Sequence, residues 1–186
     1  MTEYSFSKEI LLRFYEEDSD LFRLLWRHSL QVAELAYRIA RHFDGADLRF
    51  VQEAALLHDI GVIHTHAPSI CCVGTEPYMR HGVIGAEMLR GLGMPRHALV
   101  CERHTGCGLT REDVIAGDLP LPHDRDFMPV SLEEQIICYA DKFFSKSKPE
   151  GIKSLESVRR ATAKFGDVQM ARFEAMHARF GAYLND

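Results

Sequence analysis

The sequence has no long apolar run and no recognisable leader. No stretch approaches the ~20 consecutive apolar residues that a membrane-spanning helix needs. The first ten residues include Glu3 and Glu9 and lack the basic and apolar regions of a secretory signal peptide. We therefore expect a cytoplasmic protein with no membrane partner.

The cysteines form no pattern typical of a disulfide framework or a zinc finger. There are five of them, Cys71, Cys72, Cys101, Cys107 and Cys138, and no two are spaced as a CxxC pair. An odd number of cysteines in a chain that is not secreted indicates reduced thiols.

The chain also has no strong excess of positive or negative charge. The chain has 22 basic and 27 acidic side chains, a formal net charge of -5, and no basic cluster. This balance argues against nonspecific binding to nucleic acid or to an anionic membrane. We therefore expect the partner to be a small molecule.

The composition and the hydrophobic periodicity indicate one helical domain. A length of 186 residues with 46% hydrophobic side chains can bury a sizeable core. We find no convincing strand, no repeat and no low-complexity tract. Helical spacing of apolar residues predicts helices over about 4–16, 20–42, 47–60, 78–92, 95–104, from 131 onward, 154–165 and 167–184. The predicted fold class is therefore all-α.

A histidine and an aspartate, His58 and Asp59, stand side by side at the end of the third predicted helix. Neutral imidazole and carboxylate both bind metal ions, and neighbours on a helix diverge by about 100°, so one ion can be held from two directions. Gly61 follows and is expected to let the backbone turn away. Alone, such a pair is more often a solvated helix end than a metal site.

Four further ionisable residues fall on apolar faces or at ends of other predicted helices, namely His28, His81, His104 and Asp141. Each alone is better interpreted as a hydrogen-bonded core residue. Six of them in one small core would cost much desolvation energy unless they converged on a positive charge. Imidazole with carboxylate suits divalent first-row metal ions. Two such ions bridged by a carboxylate can activate water for displacement at phosphorus.

This ordered set resembles the HD-domain superfamily of metal-dependent phosphohydrolases, of the HDIG type. The local strings are HSLQVAELA, LLHDIG, HGVIGAEML, ERHTG and ADKFF, and the resemblance covers about residues 20–150. It implies a single HD-type helical bundle over residues 1–186, with the metal-binding core at about 20–150 and packing helices at 151–186. It is most similar to the six-ligand, binuclear version of the family.

The resemblance also implies roles for the six residues. His28, His58, Asp59 and Asp141 would hold one ion, and Asp59 would bridge to a second ion held by His81 and His104. The expected cofactors are two divalent transition-metal ions, with Fe, Mn, Ni, Co and Zn all left open.

The expected activity is hydrolysis of a small phosphate ester or nucleotide through a metal-bridging hydroxide, with His58 and Asp59 as catalytic residues. Arg80 and Lys142, each beside a predicted ligand, are candidates to bind the substrate's phosphate. One position further round a helix, each side chain could equally point to solvent.

One branch of the family is disfavoured, and two alternatives to the hydrolase stay open. The cyclic-dinucleotide phosphodiesterase branch has a lysine where this chain has Val62 and a GYP signature that is missing here, which argues against that branch. A di-iron oxygenase similar to myo-inositol oxygenase uses comparable ligands and is the main alternative. A regulatory module without turnover is the second. The substrate, the native metal and the oligomeric state are not fixed by the sequence.

The segment 64–76 is expected to be a loop without regular structure. It contains His64, His66, Cys71 and Cys72, which could form a second metal site, and its length is typical of a functional loop or lid. Its role is left open.

Overall fold

The computed structural model describes residues 4–147 and 151–184; Glu3 and the expected boundary at residue 150 lie outside them. The α-helices of these ranges are α1 (Ser5–Leu11), α2 (Asp20–Ala40), α3 (Leu48–Leu57), α4 (His81–Gly91), α5 (Pro95–Arg103), α6 (Arg111–Ala116), α7 (Leu132–Asp141), α8 (Leu155–Ala163) and α9 (Asp167–Phe180). The predicted all-α class is confirmed. None of these helices is long and apolar enough to cross a membrane.

Local side chains determine where the main helices begin. Ser19, Asp47 and Ser131 each accept a hydrogen bond from a backbone N–H in the first turn of α2, α3 and α7. Pro95 occupies the first turn of α5, where its missing N–H costs nothing. Such signals explain why the predicted starts of these four helices agree with the structure, whereas α4 begins at His81 and not at the predicted residue 78.

The core consists of two large apolar clusters that meet along α2. One cluster joins α2, α3, α7 and α9, and the other joins α1 and the first half of α2 to α4 and α5. On α2, Leu25 belongs to the second cluster and Val32 to the first. His28 lies between Leu25 and Val32. The predicted metal-binding residue of α2 is therefore at the boundary of the two clusters.

The segment after α3 is more regular than the sequence indicated. It contains three short strands, β1 (Thr65–Ala67), β2 (Cys72–Val73) and β3 (Glu76–Pro77), in the order β2-β1-β3. β1 pairs antiparallel with β2 and parallel with β3. The expectation of no strand was wrong, because strands of two or three residues are too short to show an alternating pattern.

Gly61 has a different role from the one expected. It is not among the glycines with positive φ. A Cβ at this position would lie 2.2 Å from the carbonyl oxygen of His81 and 2.4 Å from the backbone nitrogen of Gly85. Gly61 therefore allows α4 to pack directly against the segment that follows α3.

Candidate metal centre

The structure brings all six predicted ligands together. Three helices, α3, α5 and α7, end at this point, so that His58, His104 and Asp141 are the last or next residue of each. His28 comes from the middle of α2 and His81 is the first residue of α4. All five histidines and aspartates other than Asp141 are buried, and the Asp141 side chain is 14% exposed.

Asp59 lies at the centre of the group, with its two carboxylate oxygens facing different histidines. Oδ2 lies 3.3 Å from Nε2 of His28 and 3.0 Å from Nε2 of His58. Oδ1 lies 3.4 Å from Nε2 of His81 and 3.5 Å from Nε2 of His104. The carboxylate thus stands between two pairs of imidazoles.

Asp141 joins the first of these pairs. Its Oδ1 lies 3.1 Å from Nε2 of His28 and 3.6 Å from Nε2 of His58. The ligand atoms of these three residues all lie within 4.8 Å of one another, and so do those of His58, Asp59 and His104. Both groups are compact enough to hold a metal ion.

Three of the imidazoles are oriented by the backbone. Nδ1 donates to the carbonyl oxygen three residues earlier, at 2.6 Å for His58, 2.7 Å for His81 and 2.7 Å for His104. Because a carbonyl oxygen only accepts, the proton of each ring lies on Nδ1. In the neutral rings, Nε2 then presents a lone pair to the centre, as metal-binding imidazoles do.

The half of the site around His81 and His104 has no proton to balance these lone pairs. Burial lowers the pKa of His81 to about 3 and also lowers the pKa of His104. The two Nε2 atoms lie 3.0 Å apart, and both face Oδ1 of Asp59. Three buried acceptors that face one another are costly without a cation, so these residues fit a divalent metal ion.

The half around His58 has a different charge balance. Burial alone would lower the pKa of His58, but Asp59 and Asp141 raise it to about 9. Burial would raise the pKa of Asp59, yet His58 and Lys146 hold it well below the usual range. Burial would also raise the pKa of Asp141, but Lys142 and His28 hold it well below the usual range, so both aspartates are carboxylates, the form that binds metal ions.

Sequence reasoning missed Lys146. Its Nζ lies 2.6 Å from Oδ2 of Asp59, and its side chain is only 13% exposed. Lys142, which was predicted, lies 3.2 Å from Oδ2 of Asp141. Neighbouring carboxylates outweigh burial and raise the pKa of both lysines, so both are cations. Lys146 follows the end of α7 by five residues, where helical spacing no longer indicates direction.

Arg80 is held away from this lysine pair by other partners. Its Nε lies 3.0 Å from Oε2 of Glu76, and its Nη1 donates to the carbonyl oxygen of Pro120 at 3.4 Å. The substrate role of Arg80 stays a prediction.

Within the described ranges, neither compact ligand group includes a residue of the 64–76 segment. His64, His66 and Cys71 are exposed there, whereas Cys72 is buried. A second metal site in this segment therefore has no support among the described residues.

A cavity of about 870 Å³ opens beside the centre. His28, Asp141, Lys142 and Lys146 form part of its wall. Residues of the 64–76 segment, Ala67 among them, form another part. The volume is that of a small-molecule site.

Comparison with known families agrees with this geometry. The family model described as the HD domain matches residues 25–145, which contain all six residues. The chain belongs to the HD-domain family. Proteins of this family bind divalent metal ions, and the buried histidines and aspartates of this HD domain are the residues suited to do so.

Curated relatives of this HD domain include archaeal proteins of different lengths. The uncharacterized protein MJ0778 of Methanocaldococcus jannaschii is 38% identical over 126 residues, which are 65% of this chain and 66% of that protein. A tRNA (cytidine(56)-2'-O)-methyltransferase of Thermoplasma volcanium is 36% identical over 125 residues, 67% of this chain and 32% of that protein. The corresponding enzyme of Picrophilus torridus is 33% identical over 133 residues, 71% of this chain and 35% of that protein. The chain thus spans about a third of each methyltransferase.

Solved structures with the same fold include the HD domain of the L. monocytogenes phosphodiesterase PgpH. It matches with a TM-score of 0.53 and 19% identity, and the match covers 97% of each chain. Its complex with cyclic-di-AMP matches with a TM-score of 0.55 and 18% identity, over 100% of this chain and 98% of that one. At this identity the likeness shows the fold alone.

Proposed function

We propose that this HD domain is a metal-dependent hydrolase of a small phosphate ester or nucleotide with a binuclear centre. The observation that supports it best is the position of Asp59, whose two oxygens face separate pairs of buried imidazoles. A carboxylate placed in this way suits a bridge between two ions.

The ligands divide between the two ions as the distances suggest. His28, His58 and Asp141 would hold one ion together with Oδ2 of Asp59. His81 and His104 would hold the other together with Oδ1 of Asp59. When bound, divalent ions would supply activated water and neutralise charge on the phosphoryl oxygens.

The protein itself contributes orientation. The hydrogen bonds from Nδ1 to the backbone orient the rings of His58, His81 and His104. Less side-chain entropy is therefore lost when these rings bind a metal ion. His58 and Asp59 are the proposed catalytic pair because they lie where the two halves of the site meet.

Two lysines would bind the substrate's phosphate. Lys142 and Lys146 are cations, are mostly buried and line the cavity beside the proposed ions. An ammonium group with few water contacts pairs strongly with a phosphate oxygen. This pair favours an anionic substrate over the uncharged polyol of a myo-inositol-oxygenase-like enzyme.

The direct test is turnover by metal-loaded protein. Phosphomonoesters, nucleotides and cyclic nucleotides should be incubated with Mn²⁺, Fe²⁺, Ni²⁺, Co²⁺, Zn²⁺ or Mg²⁺ and assayed for phosphate and for the dephosphorylated product. We expect hydrolysis by the wild type and none by Asp59→Asn, which keeps the shape of the side chain but loses its charge.

Two results would count against the proposal. One is the absence of turnover in every combination although the protein binds metal. The other is oxygen consumption by the iron-loaded protein with an organic substrate, which would favour the oxygenase alternative.

A further inference from the structure

The cavity beside the metal centre is much larger than a phosphate group requires. Its volume is about 870 Å³, within the range of sites that enclose a whole small molecule. Its wall includes His28 from the middle of α2, and Asp141, Lys142 and Lys146 at or just beyond the end of α7. The other charged side chains of the wall are Asp113 and Lys153. The rest of the wall must contact whatever the phosphate is attached to.

That remaining wall is mainly apolar and comes from several elements. Its apolar side chains include Leu109, Leu119, Phe144, Val158, Phe165 and Val168. Burying hydroxyl groups of a sugar against such side chains would leave those groups without hydrogen bonds, whereas hydrocarbon gains from the contact.

The large polar side chains in this part of the wall are already engaged. The amide of Gln169 accepts from the N–H of Cys107 and donates to the carbonyl oxygen of Gly108, each at 2.8 Å. Asp113 accepts from the N–H of Thr110 and forms an ion pair with Arg172. Lys153, also in the wall, donates to the carbonyl oxygens of Lys142 and Phe144. Bonds within the protein thus already orient all three side chains.

The corner between α8 and α9 exposes apolar side chains that also belong to this wall. Phe165 is 74% exposed and Val168 is 55% exposed. Exposed apolar groups at the side of a cavity are typical of binding sites.

We infer that the substrate of this site is a phosphomonoester with a mainly hydrocarbon body, which lies along the apolar wall while Lys142 and Lys146 hold the phosphate. The inference rests on the proposed function, because it assigns a substrate class to the same site. It distinguishes such a substrate from sugar phosphates and from nucleotides, whose bodies need polar partners.

The test uses a homologous series in which only the body changes. Metal-loaded full-length protein should be assayed with ethyl, propyl, butyl, hexyl and octyl phosphate, each below its micelle-forming concentration, and with glycerol 1-phosphate as the polar counterpart of propyl phosphate. We expect kcat/KM to rise by about two- to fourfold for each methylene group that reaches the wall. Propyl phosphate should be hydrolysed with a higher kcat/KM than glycerol 1-phosphate.

Variants of the apolar wall test which side chains cause the rise in kcat/KM with chain length. Phe165→Ser and Val168→Ser should reduce the gain in kcat/KM with chain length, because both side chains belong to the apolar wall. Val73→Ser is the matched control, since Val73 is 83% exposed and does not belong to the cavity wall. A chain-length gain that is equal in all three variants would overturn the assignment of this wall.

Binding of n-alkyl phosphonates, which cannot be hydrolysed at an ester bond, separates this inference from the proposed function. If phosphonate affinity rises with chain length but no ester is hydrolysed, the inference stands and the hydrolase proposal fails. If short esters are hydrolysed and neither kcat/KM nor affinity rises with chain length, the hydrolase proposal stands and the inference is wrong. If there is neither binding nor turnover, both are wrong.

Discussion

At the scale of single residues, Asp59 differs from the other five proposed ligands because each of its oxygens lies near its own pair of imidazoles. Asp59→Ala would remove negative charge from both halves of the site and leave two cations facing each other. We expect both ions to be lost together, as measured by metal analysis after dialysis, with circular dichroism to check folding. Retention of two ions by Asp59→Ala would contradict the bridging role.

His81 and His104 lie on one side of Asp59 only. His81→Ala or His104→Ala should therefore lower the metal content towards about one ion per chain, while His28, His58 and Asp141 keep the first ion. His66→Ala is the matched control, because His66 is exposed on β1. If the metal content and the rate of His81→Ala equal those of the control, His81 is an ordinary core residue.

Lys142 and Lys146 should affect the substrate more than the metal. We expect Lys146→Ala to lower kcat/KM by about ten- to a hundredfold, the effect of losing a charge-assisted hydrogen bond. The metal content should stay near that of the wild type. Lys164→Ala changes an exposed lysine of the same charge and should have no effect.

Arg80→Ala tests whether Arg80 contacts the substrate. A fall in kcat/KM with retained metal would support the predicted substrate contact of Arg80. An unchanged rate would fit the ion pair with Glu76 that the structure contains.

At the scale of elements, the packing of α4 against its neighbours depends on glycines. Gly61→Ala would place a methyl group 2.2 Å from the carbonyl oxygen of His81, a backbone atom that cannot give way alone. We expect a loss of at least about 1–3 kcal/mol in the free energy of unfolding. Weaker binding of the second ion should accompany it, because His81 begins α4.

Gly91→Ala is the control for that experiment. Gly91 also belongs to α4, but a Cβ there meets nothing within 4 Å. Alanine in a helix is favoured over glycine by roughly 0.5–1 kcal/mol, so this variant should be unchanged or slightly more stable in urea unfolding. Equal destabilisation of both variants would mean that close approach is not the reason for Gly61.

The elements that could be predicted are those with a local physical signal. Ser19, Asp47 and Ser131 indicate helix starts because their side chains cap the first turn, and long apolar stripes follow them. The strands of the 64–76 segment have no such signal, since their pairing depends on contacts between β1, β2 and β3. The role of Gly61 depends on its contact with α4, which is distant in sequence. The sequence alone therefore indicates a turn at Gly61 and does not show this contact.

The convergence of the six residues was predictable for a related reason. Each of the six residues lies on a helix face or end whose direction periodicity gives. Lys146 lies beyond α7, where the direction of a side chain depends on the tertiary fold. Its approach to Asp59 could therefore be seen only in the structure.

At the scale of the whole molecule, metal binding should be linked to folding. The proposed ligands lie on or at the ends of α2, α3, α4, α5 and α7 and are brought together only in the folded chain. Ions present at a hundred times their dissociation constant would stabilise the fold by about 2.7 kcal/mol. We expect the Tm to rise with added metal and to fall with a chelator in the wild type, and to respond to neither in Asp59→Ala. An equal response in both proteins would place the stabilising ion elsewhere.

α3, α5 and α7 meet at their carboxyl ends, and the charge at this point affects the order in which metal ions and substrate bind. The end of each helix has a partial negative charge of about half an elementary charge, and Asp59 and Asp141 add two full charges at the same place. The helix ends and carboxylates attract cations, while Lys142 and Lys146 are paired with Asp141 and Asp59 and are not free to bind a phosphate dianion. The reaction should therefore follow an ordered scheme in which the ions load first and the phosphate ester enters second, so that chelated protein neither binds the substrate nor is protected by it.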